Sequence, residues 1–472
     1  MWKPWKIALG AAGAVLGIGV VGAAGLLLAW RGHAKAQLEA AASDALGMQV
    51  SIGGRPVLQF FPSLGLRLED VRIHSRGTEL AAARQARLGV ELVSLLRRQV
   101  RITLIELNHA TISVERGRDG KFNFEAPGRA GGALPDSTDV SLTDLTFEYA
   151  NRQAGTSVHA GPCEVQAQHL RFSDRDGEHP MKGFGVSATV SCGQIKTRDL
   201  PMSDVRFALE ADKGVLATRK LTMRAFGGQG SAEVRADFSG PVPSYRVHGL
   251  LSKFRIDEFA KNFSQKSIGH GALDFSTELT MTGTSAEEMI RSSAGEASLH
   301  GTGLTLDIGD LDRELSNYKA TQRFSLIDLG AFFFAGPIGL ALTKGYDYAK
   351  VMDSTGGSSR ILTLVSEWHI ERGVAQAKDV AMTTQANRVA LKGALDFVTA
   401  TYQDVTVAVV GPQGCVQVQQ KVRGPFNHPE VEKPNVVASL AGPALHLLKK
   451  ARHALGGHCE VFYAGSLPPP PQ

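Results

Sequence analysis

Short segments in which apolar and polar residues alternate recur along most of the chain. They include residues 64–73, 100–104, 112–114, 145–149, 186–190, 205–209, 232–238, 273–281 and 405–409. Alternation with a period of two gives a strand one apolar face and one polar face. The pattern continues for about four hundred residues, more than one sandwich domain normally holds. We therefore predict a mainly β chain that forms a long, curved sheet with an apolar groove, rather than an ordinary sandwich or barrel.

The N-terminal segment breaks this pattern. Residues 7–29 carry no charge, and a helix of that length crosses a hydrocarbon core of about 30 Å. Trp2, Trp5 and Trp30 flank the segment, where indole rings favour a membrane interface. A cleaved signal peptide is the alternative, since Ala34-Lys35-Ala36 offers a cleavage pattern, but the apolar run exceeds the usual ~7–15 residues. We predict an uncleaved transmembrane helix.

A second break lies near residues 311–352, which we predict to be a helical insertion. Its core, residues 326–342, is almost wholly apolar but is interrupted by Asp328 and Pro337. It is shorter than a comfortable membrane span, so a buried helical pair or an interfacial element is the favoured interpretation.

These features predict six regions. They are a membrane anchor (1–31), an N-terminal groove-start domain (32–127), a central β-groove (128–310), the helical apolar segment (311–352), a C-terminal β region (353–466) and a Pro-rich tail (467–472).

Composition and motifs argue against two functional classes. The net charge is only +5, and without a basic stripe interleaved with aromatic residues we expect no nucleic-acid partner. Sequence motifs of hydrolases, zinc proteases, P-loops and dinucleotide sites are not found. The scattered histidines and an acidic cluster without EF-hand spacing are interpreted as surface features: His159, His169, His248, His300, Asp307, Asp310, Asp312 and Glu314. We predict a non-enzyme without metal or cofactor.

The four cysteines contain no C-x-x-C pair, so they are either two disulfides of an oxidising compartment or four buried thiols. Cys415 opens a predicted strand and Cys459 precedes the apolar Val461-Phe462-Tyr463, so a bond between them would fix the C-terminal segment to the sheet. Cys163 and Cys192 are the remaining pair, although four cysteines allow three pairings.

The order of several segments resembles the AsmA family. After the anchor come GMQVSIGG at 47–54, FPSLGLRLEDVRI at 61–73, VELVSLL at 90–96 and ITLIEL at 102–107. DGKFNF at 119–124 is similar to the family's D-G-x-x-N-W turn, with Phe124 in place of Trp. Towards the C-terminus, GTGLTLDI at 301–308, residues 322–348, QKVRGPF at 420–426 and residues 459–466 are also similar.

Membership of this family implies an inner-membrane anchor and a periplasmic β-groove similar to that of chorein-type lipid-transfer proteins. It implies phospholipid movement between envelope membranes in outer-membrane biogenesis, with an outer-membrane or periplasmic protein as a possible partner. A scaffold for outer-membrane assembly that carries no lipid is the alternative. The predicted groove floor near the anchor consists of Leu66, Leu68, Val71, Ile73, Ile102, Leu104, Ile112 and Val114, with Thr103 on the opposite face.

The predicted topology is testable with a reporter fused after Gln472. We expect activity from a reporter that works only outside the cytoplasm. A single anchor leaves the rest of the chain on one side of the membrane, and the family resemblance implies that this side is the periplasm. A cytoplasm-specific reporter at the same position is the control, and its activity would contradict the topology.

Overall fold

The computed structural model describes residues 34–59, 64–91, 102–124, 138–153, 155–172, 183–197, 200–261, 269–307, 310–313, 357–432, 459 and 461–470. The predicted membrane helix and nearly all of the predicted helical insertion lie outside these residues. Within them, no helix has the length and apolar character that a membrane span requires. Strand makes up 70% of the structure in a mixed sheet that is not closed, which confirms the mainly β prediction.

The described helices are α1 (Ala34–Leu46), α2 (Ile256–Ala260) and α3 (Ala286–Ser292). The strands are β1 (Gln49–Ile52), β2 (Val57–Gln59), β3 (Gly65–Ser75), β4 (Thr78–Val90), β5 (Ile102–Arg116), β6 (Thr138–Asn151), β7 (Thr156–Phe172), β8 (Phe184–Thr197), β9 (Pro201–Asp212), β10 (Val215–Ala225), β11 (Gly228–Asp237), β12 (Ser244–Arg255), β13 (Gly269–His270), β14 (Ala272–Thr282), β15 (Ala294–Leu306), β16 (Ser359–Glu371), β17 (Val374–Thr384), β18 (Arg388–Asp396), β19 (Thr401–Val410), β20 (Val416–Pro425) and β21 (Glu430–Val431).

The chain divides into two compact units. Unit 1 contains residues 1–225 and 231–245, and unit 2 contains residues 226–230 and 246–472. In unit 1, β1 and β2 both pair with β3, and the order then continues from β3 to β10. These pairs are antiparallel except for β5 and β6, which run parallel.

The apolar pattern of β3 changes phase in the middle of the strand. Leu66 and Leu68 are buried before the change and Val71 and Ile73 after it, while Glu69 and Asp70 between them are both exposed. Asp70 has a φ of 47°, in the left-handed region that Asp tolerates better than most residues. The left-handed conformation at Asp70 changes the phase of the strand, so both halves of the apolar pattern lie on one face.

The same phase change crosses the neighbouring strands. On β4, Ala83 pairs with Val71 and Ala86 pairs with Leu68, so the pairing register is preserved through the change. His109 on β5 and Asp144 on β6 occupy the equivalent level, with φ values of 53° and 54°, and their side chains are 3.3 Å apart. We call Asp70, His109 and Asp144 the crease.

The turn at Asp119-Gly120, which follows β5, requires the glycine and the asparagine of its sequence. Gly120 has a φ of 77°, which a residue with a side chain adopts only with strain. The side chain of Asn123 donates to the carbonyl of Ser113 at 2.8 Å and accepts from the amide of Glu115 at 3.0 Å. Asn123 thereby supplies both hydrogen-bonding groups that a neighbouring strand would supply.

Both disulfide bonds considered from the sequence are present. Cys163 and Cys192 are directly paired residues on β7 and β8. Cys415, just before β20, bonds to Cys459, and Cys415 also forms a bridge with Val461. The second bond therefore joins the C-terminal segment to the sheet of unit 2.

Unit 2 is an antiparallel sheet in which β13 and β14 both pair with β15, followed by β16 to β21 in sequence order. Its central strands do not show the alternation of buried and exposed residues that is expected when one side of a strand faces solvent. Residues 380–384, 388–391 and 405–411 are buried in consecutive runs, which indicates that both faces of β17, β18 and β19 are covered.

The C-terminal segment, residues 461–470, covers one of these faces; we call it the strap. Its side chains Tyr463 and Leu467 are 7% and 3% exposed and pack on residues that lie side by side across four strands. Those residues are Val365, Ala381, Ala390 and Ala408. Three alanines in a row leave the space that the tyrosine ring and the leucine side chain fill.

Polar contacts hold the strap at two points. The guanidinium of Arg388 donates to the carbonyl of Leu467 at 2.8 Å and lies over the Tyr463 ring. Asp379 accepts from the Tyr463 hydroxyl at 2.6 Å and from the Ser466 amide at 2.8 Å. Burial alone would raise the pKa of Asp379, but these hydrogen bonds outweigh it, so that pKa lies below its ordinary value. Burial, followed by the bond to Asp379, raises the pKa of Tyr463 to about 12.

The crease predicts a specific response to substitution at Asp70. Asp70→Val should lower the free energy of unfolding by about 1–3 kcal/mol, because a β-branched residue is strained at positive φ. Asp70→Gly should be close to neutral, since glycine adopts this conformation freely. Urea midpoints of the two variants provide the measurement; equal losses would show that the backbone conformation at Asp70 is unimportant.

The strap predicts a pH-dependent contribution to the stability of unit 2. Because the folded pKa of Asp379 is lowered, its contribution is present above the unfolded value near 3.8 and is lost as pH falls through the folded pKa. Tyr463→Phe removes the hydroxyl and should cost about 1–2 kcal/mol at neutral pH. The difference between wild type and variant in urea unfolding should shrink at low pH; a difference that stays constant would contradict the role of Asp379.

Candidate functional site: the apolar face of the sheet

The predicted floor residues lie in the interior of unit 1. Seven of them are at most 4% exposed and belong to one apolar cluster: Leu66, Leu68, Val71, Ile73, Ile102, Ile112 and Val114. They share one face, and in β3 the phase change at Asp70 keeps Leu68 and Val71 on it. At this end of unit 1, however, the apolar face is closed rather than open.

Leu104 was placed on the wrong face, and the reason is a bulge. Val90 pairs with Ile102 and Gly89 pairs with Leu104, so Thr103 is an extra residue on β5. Ile105 and Leu107, which are 0% and 1% exposed, take the interior positions, and Leu104 lies on the opposite face beside Gly89. The spacing Ile102, Ile105, Leu107 is the sequence signal that indicates this shift.

Helix α1 contributes to the closure. Leu38 and Ala42 are fully buried in the same cluster as the first strands. Since these residues are four apart, they lie on one side of the helix. The helix therefore covers the beginning of the apolar face.

Farther along unit 1 the apolar face becomes accessible. Phe207 and Leu209 on β9 and Leu216 and Met223 on β10 pack against the cluster but are only partly buried. We call these four residues the open strip. The opposite face of the same strands is charged; for example, Arg219 and Glu210 form an ion pair at 2.9 Å. The sequence pattern identifies these positions as strand residues but does not indicate how deeply each is covered.

Unit 2 has its own partly exposed apolar positions. On β14, Phe275, Leu279 and Met281 are partly buried, whereas Asp274, Glu278 and Thr280 are exposed. Elsewhere in the unit, α2 closes the face: Ile256 and Phe259 are buried, and Phe259 makes an edge contact with Phe254 at 5.9 Å. Short helices thus cover some stretches of apolar surface and leave others accessible.

A polar hollow of about 730 Å³ lies at the ends of β5, β6, β7 and β8 in unit 1. Its charged groups pair mainly with one another. Arg152 donates to both carboxylate oxygens of Glu115 at 2.5 and 3.0 Å, and Glu148 lies 3.6 Å from His159.

Several of the candidate chemical groups named from the sequence have side-chain partners, whereas Glu314 lies outside the described residues. His300 lies 3.6 Å from Glu367. Asp312 accepts from Thr384 and Asn387 at 2.5 and 2.7 Å, and Asp307 lies 3.6 Å from His270. Over the part of the chain that the structure describes, no group of three or more His, Cys, Asp or Glu side chains is arranged to hold a metal ion.

These observations define a class: a mainly β protein in which the strands of unit 1 have one apolar and one charged face. A comparison with models of protein families identifies the family. The model described as the AsmA family matches residues 3–132 and 144–323, and the chain belongs to this family. The similar segments at 420–426 and 459–466 lie beyond the matched residues. Neither the curated proteins nor the solved structures gave a match.

Proposed function

We propose that this protein carries phospholipid along its apolar face between the membranes of the cell envelope. Membership of the AsmA family supports a role in envelope and outer-membrane biogenesis. The observation that supports lipid carriage is the open strip of unit 1, where apolar side chains on adjacent strands are neither exposed to full solvent nor sealed by other residues. A carrier of this kind needs no catalytic group.

The energetics favour such a surface for an acyl chain. Exposing a CH₂ group to water costs about 0.8 kcal/mol. A diacyl lipid with about thirty of them therefore faces roughly 25 kcal/mol in water. Side chains such as Phe207 and Leu209 offer apolar contacts in place of water, while the phosphate headgroup remains solvated. The side chains that bind lipid must be partly exposed, because a fully packed interior has no room for an acyl chain.

The proposed location is the periplasm, with residues 7–29 as the inner-membrane anchor. The two disulfide bonds support an oxidising compartment. The charged outer face, with its cross-strand ion pairs, suits a surface that stays in water. An outer-membrane or periplasmic protein remains a proposed partner.

The second candidate function is a scaffold for outer-membrane assembly that carries no lipid. The closed apolar face of the first strands favours it, because Leu66, Leu68 and Val71 are 0% exposed and leave no surface for a ligand. The two candidates therefore differ over the open strip. Lipid bound there would support the carrier, and an open strip without bound lipid would support the scaffold.

A charge placed on the open strip tests the carrier. Leu209→Asp should lower the phospholipid that co-purifies with the full-length protein several-fold, because a buried carboxylate opposes acyl-chain contact. Thr222→Asp is the matched control: Thr222 is exposed on the polar face of β10 and pairs with Arg206. The measurement is mass spectrometry of bound lipid, combined with the permeability of the outer membrane in cells.

Equal lipid content in Leu209→Asp and Thr222→Asp, with both proteins folded, would contradict carriage on the open strip. Formation of the Cys163–Cys192 bond reports folding of unit 1 in each variant. Absence of lipid from the wild-type protein would favour the scaffold.

A further inference from the structure

Helix α1 is held to the sheet in an unusual way. The amide of Ile52 donates to the Glu39 carboxylate at 2.7 Å, and the amide of Val50 donates to the Ser43 hydroxyl at 3.0 Å. Glu39 and Ser43 are one helical turn apart, and Val50 and Ile52 are alternate residues of β1. The side chains of the helix thus occupy the place of a neighbouring strand along the edge of β1.

The apolar side of the same helix covers the start of the apolar face. Leu38 and Ala42 are 0% exposed, and the apolar side chains of β1 and β3 in the same cluster, such as Val50 and Leu68, are at most 4% exposed. At its C-terminal end, the helix stops at Gly47, whose φ is 63°. This left-handed residue ends the helix and forms the turn into β1. The other end of α1 leads towards the predicted anchor.

The polar contacts between α1 and the β1 region are hydrogen bonds that water can replace. The hydrogen bonds involve a carboxylate and a hydroxyl, and the ammonium of Lys35 adds a third contact to the Gly53 carbonyl at 3.3 Å in an exposed position. Neither disulfide bond involves α1, so only the polypeptide backbone links this helix covalently to β1. A rotation about Gly47 would exchange these contacts for water and uncover the floor.

We propose that α1 is a hinged gate over the membrane-proximal end of the apolar face. In the closed state that the structure shows, Leu38 and Ala42 cover the floor, and Glu39 and Ser43 form the latch. In the open state, Leu66, Leu68, Val71 and Ile73 become accessible to an acyl chain that leaves the bilayer beside the anchor. This inference rests on the proposed function, because it assigns the point at which phospholipid reaches the apolar face.

The gate is tested by removing its latch. Glu39→Leu combined with Ser43→Ala eliminates both acceptors and preserves helix-forming residues. Loss of two hydrogen bonds should raise the open population by about fivefold or more. Asp44→Ala, at an exposed position of the same helix, is the matched control, and Glu39→Gln, which keeps an acceptor oxygen, should stay closed.

The readout is photo-crosslinking in full-length protein reconstituted in vesicles of phosphatidylethanolamine and phosphatidylglycerol. A diazirine amino acid of leucine size replaces Leu68 in one series and Leu209 in another. We expect lipid adducts at position 68 to increase about fivefold in the latch variant and to stay at the wild-type level in Asp44→Ala. Adducts at position 209 should form in all of these proteins.

Two outcomes would overturn the gate, and they are distinguishable. If hydrogen exchange at the Val50 and Ile52 amides shows that the latch is released while adducts at position 68 stay at the wild-type level, the gate is wrong and carriage on the open strip stands. If no adducts form at either position in any protein, the proposed function fails with it. Ser43→Ala alone is the milder variant if the double substitution prevents formation of the Cys163–Cys192 bond.

Discussion

The structure of unit 1 depends on keeping the apolar side chains of long strands on one face. Strands of 11 to 15 residues, such as β3 and β5, twist as they extend, and a strict alternation has no means to adjust its phase. The left-handed residues Asp70, His109 and Asp144 provide that adjustment at one level of the sheet. Because β4 changes phase together with β3, backbone pairing is preserved. The crease therefore allows a continuous apolar face, and every candidate binding surface in the unit follows from it.

A continuous apolar face must be covered by other parts of the protein or by a bound ligand. Unit 1 covers its beginning with α1 and with tight packing among the first strands, and leaves Phe207, Leu209, Leu216 and Met223 partly accessible. Unit 2 covers different surfaces with α2 and with the strap. The opposite, polar face carries cross-strand ion pairs such as Glu210–Arg219, each of which contributes little to stability but keeps that face in water. In the described part of unit 1, the open strip is therefore the stretch of the apolar face to which a ligand has access.

In unit 1, stretches of strand edge without a neighbouring strand are covered by side chains. Glu39 and Ser43 of α1 occupy the hydrogen-bonding edge of β1, and Asn123 does the same beside β5. An exposed strand edge invites pairing with another chain, so these contacts guard against aggregation. Side-chain contacts differ from a strand in one respect: each is a single bond that water can replace. That property makes α1 suited to movement, whereas the strap is tied by the Cys415–Cys459 bond.

The sequence by itself determined the fold class, the position of most strands and membership of the AsmA family. Period-two alternation and turn residues are local signals, so the chain displays them directly. Only the tertiary structure decided which apolar residues are accessible, because exposure depends on what packs above a face and not on the pattern within a strand. Leu66 and Phe207 have the same apolar character, yet Leu66 is buried beneath its neighbours and Phe207 is partly open. The bulge at Thr103 likewise reversed the face of Leu104, since one additional residue moves the next side chain to the other side of the sheet.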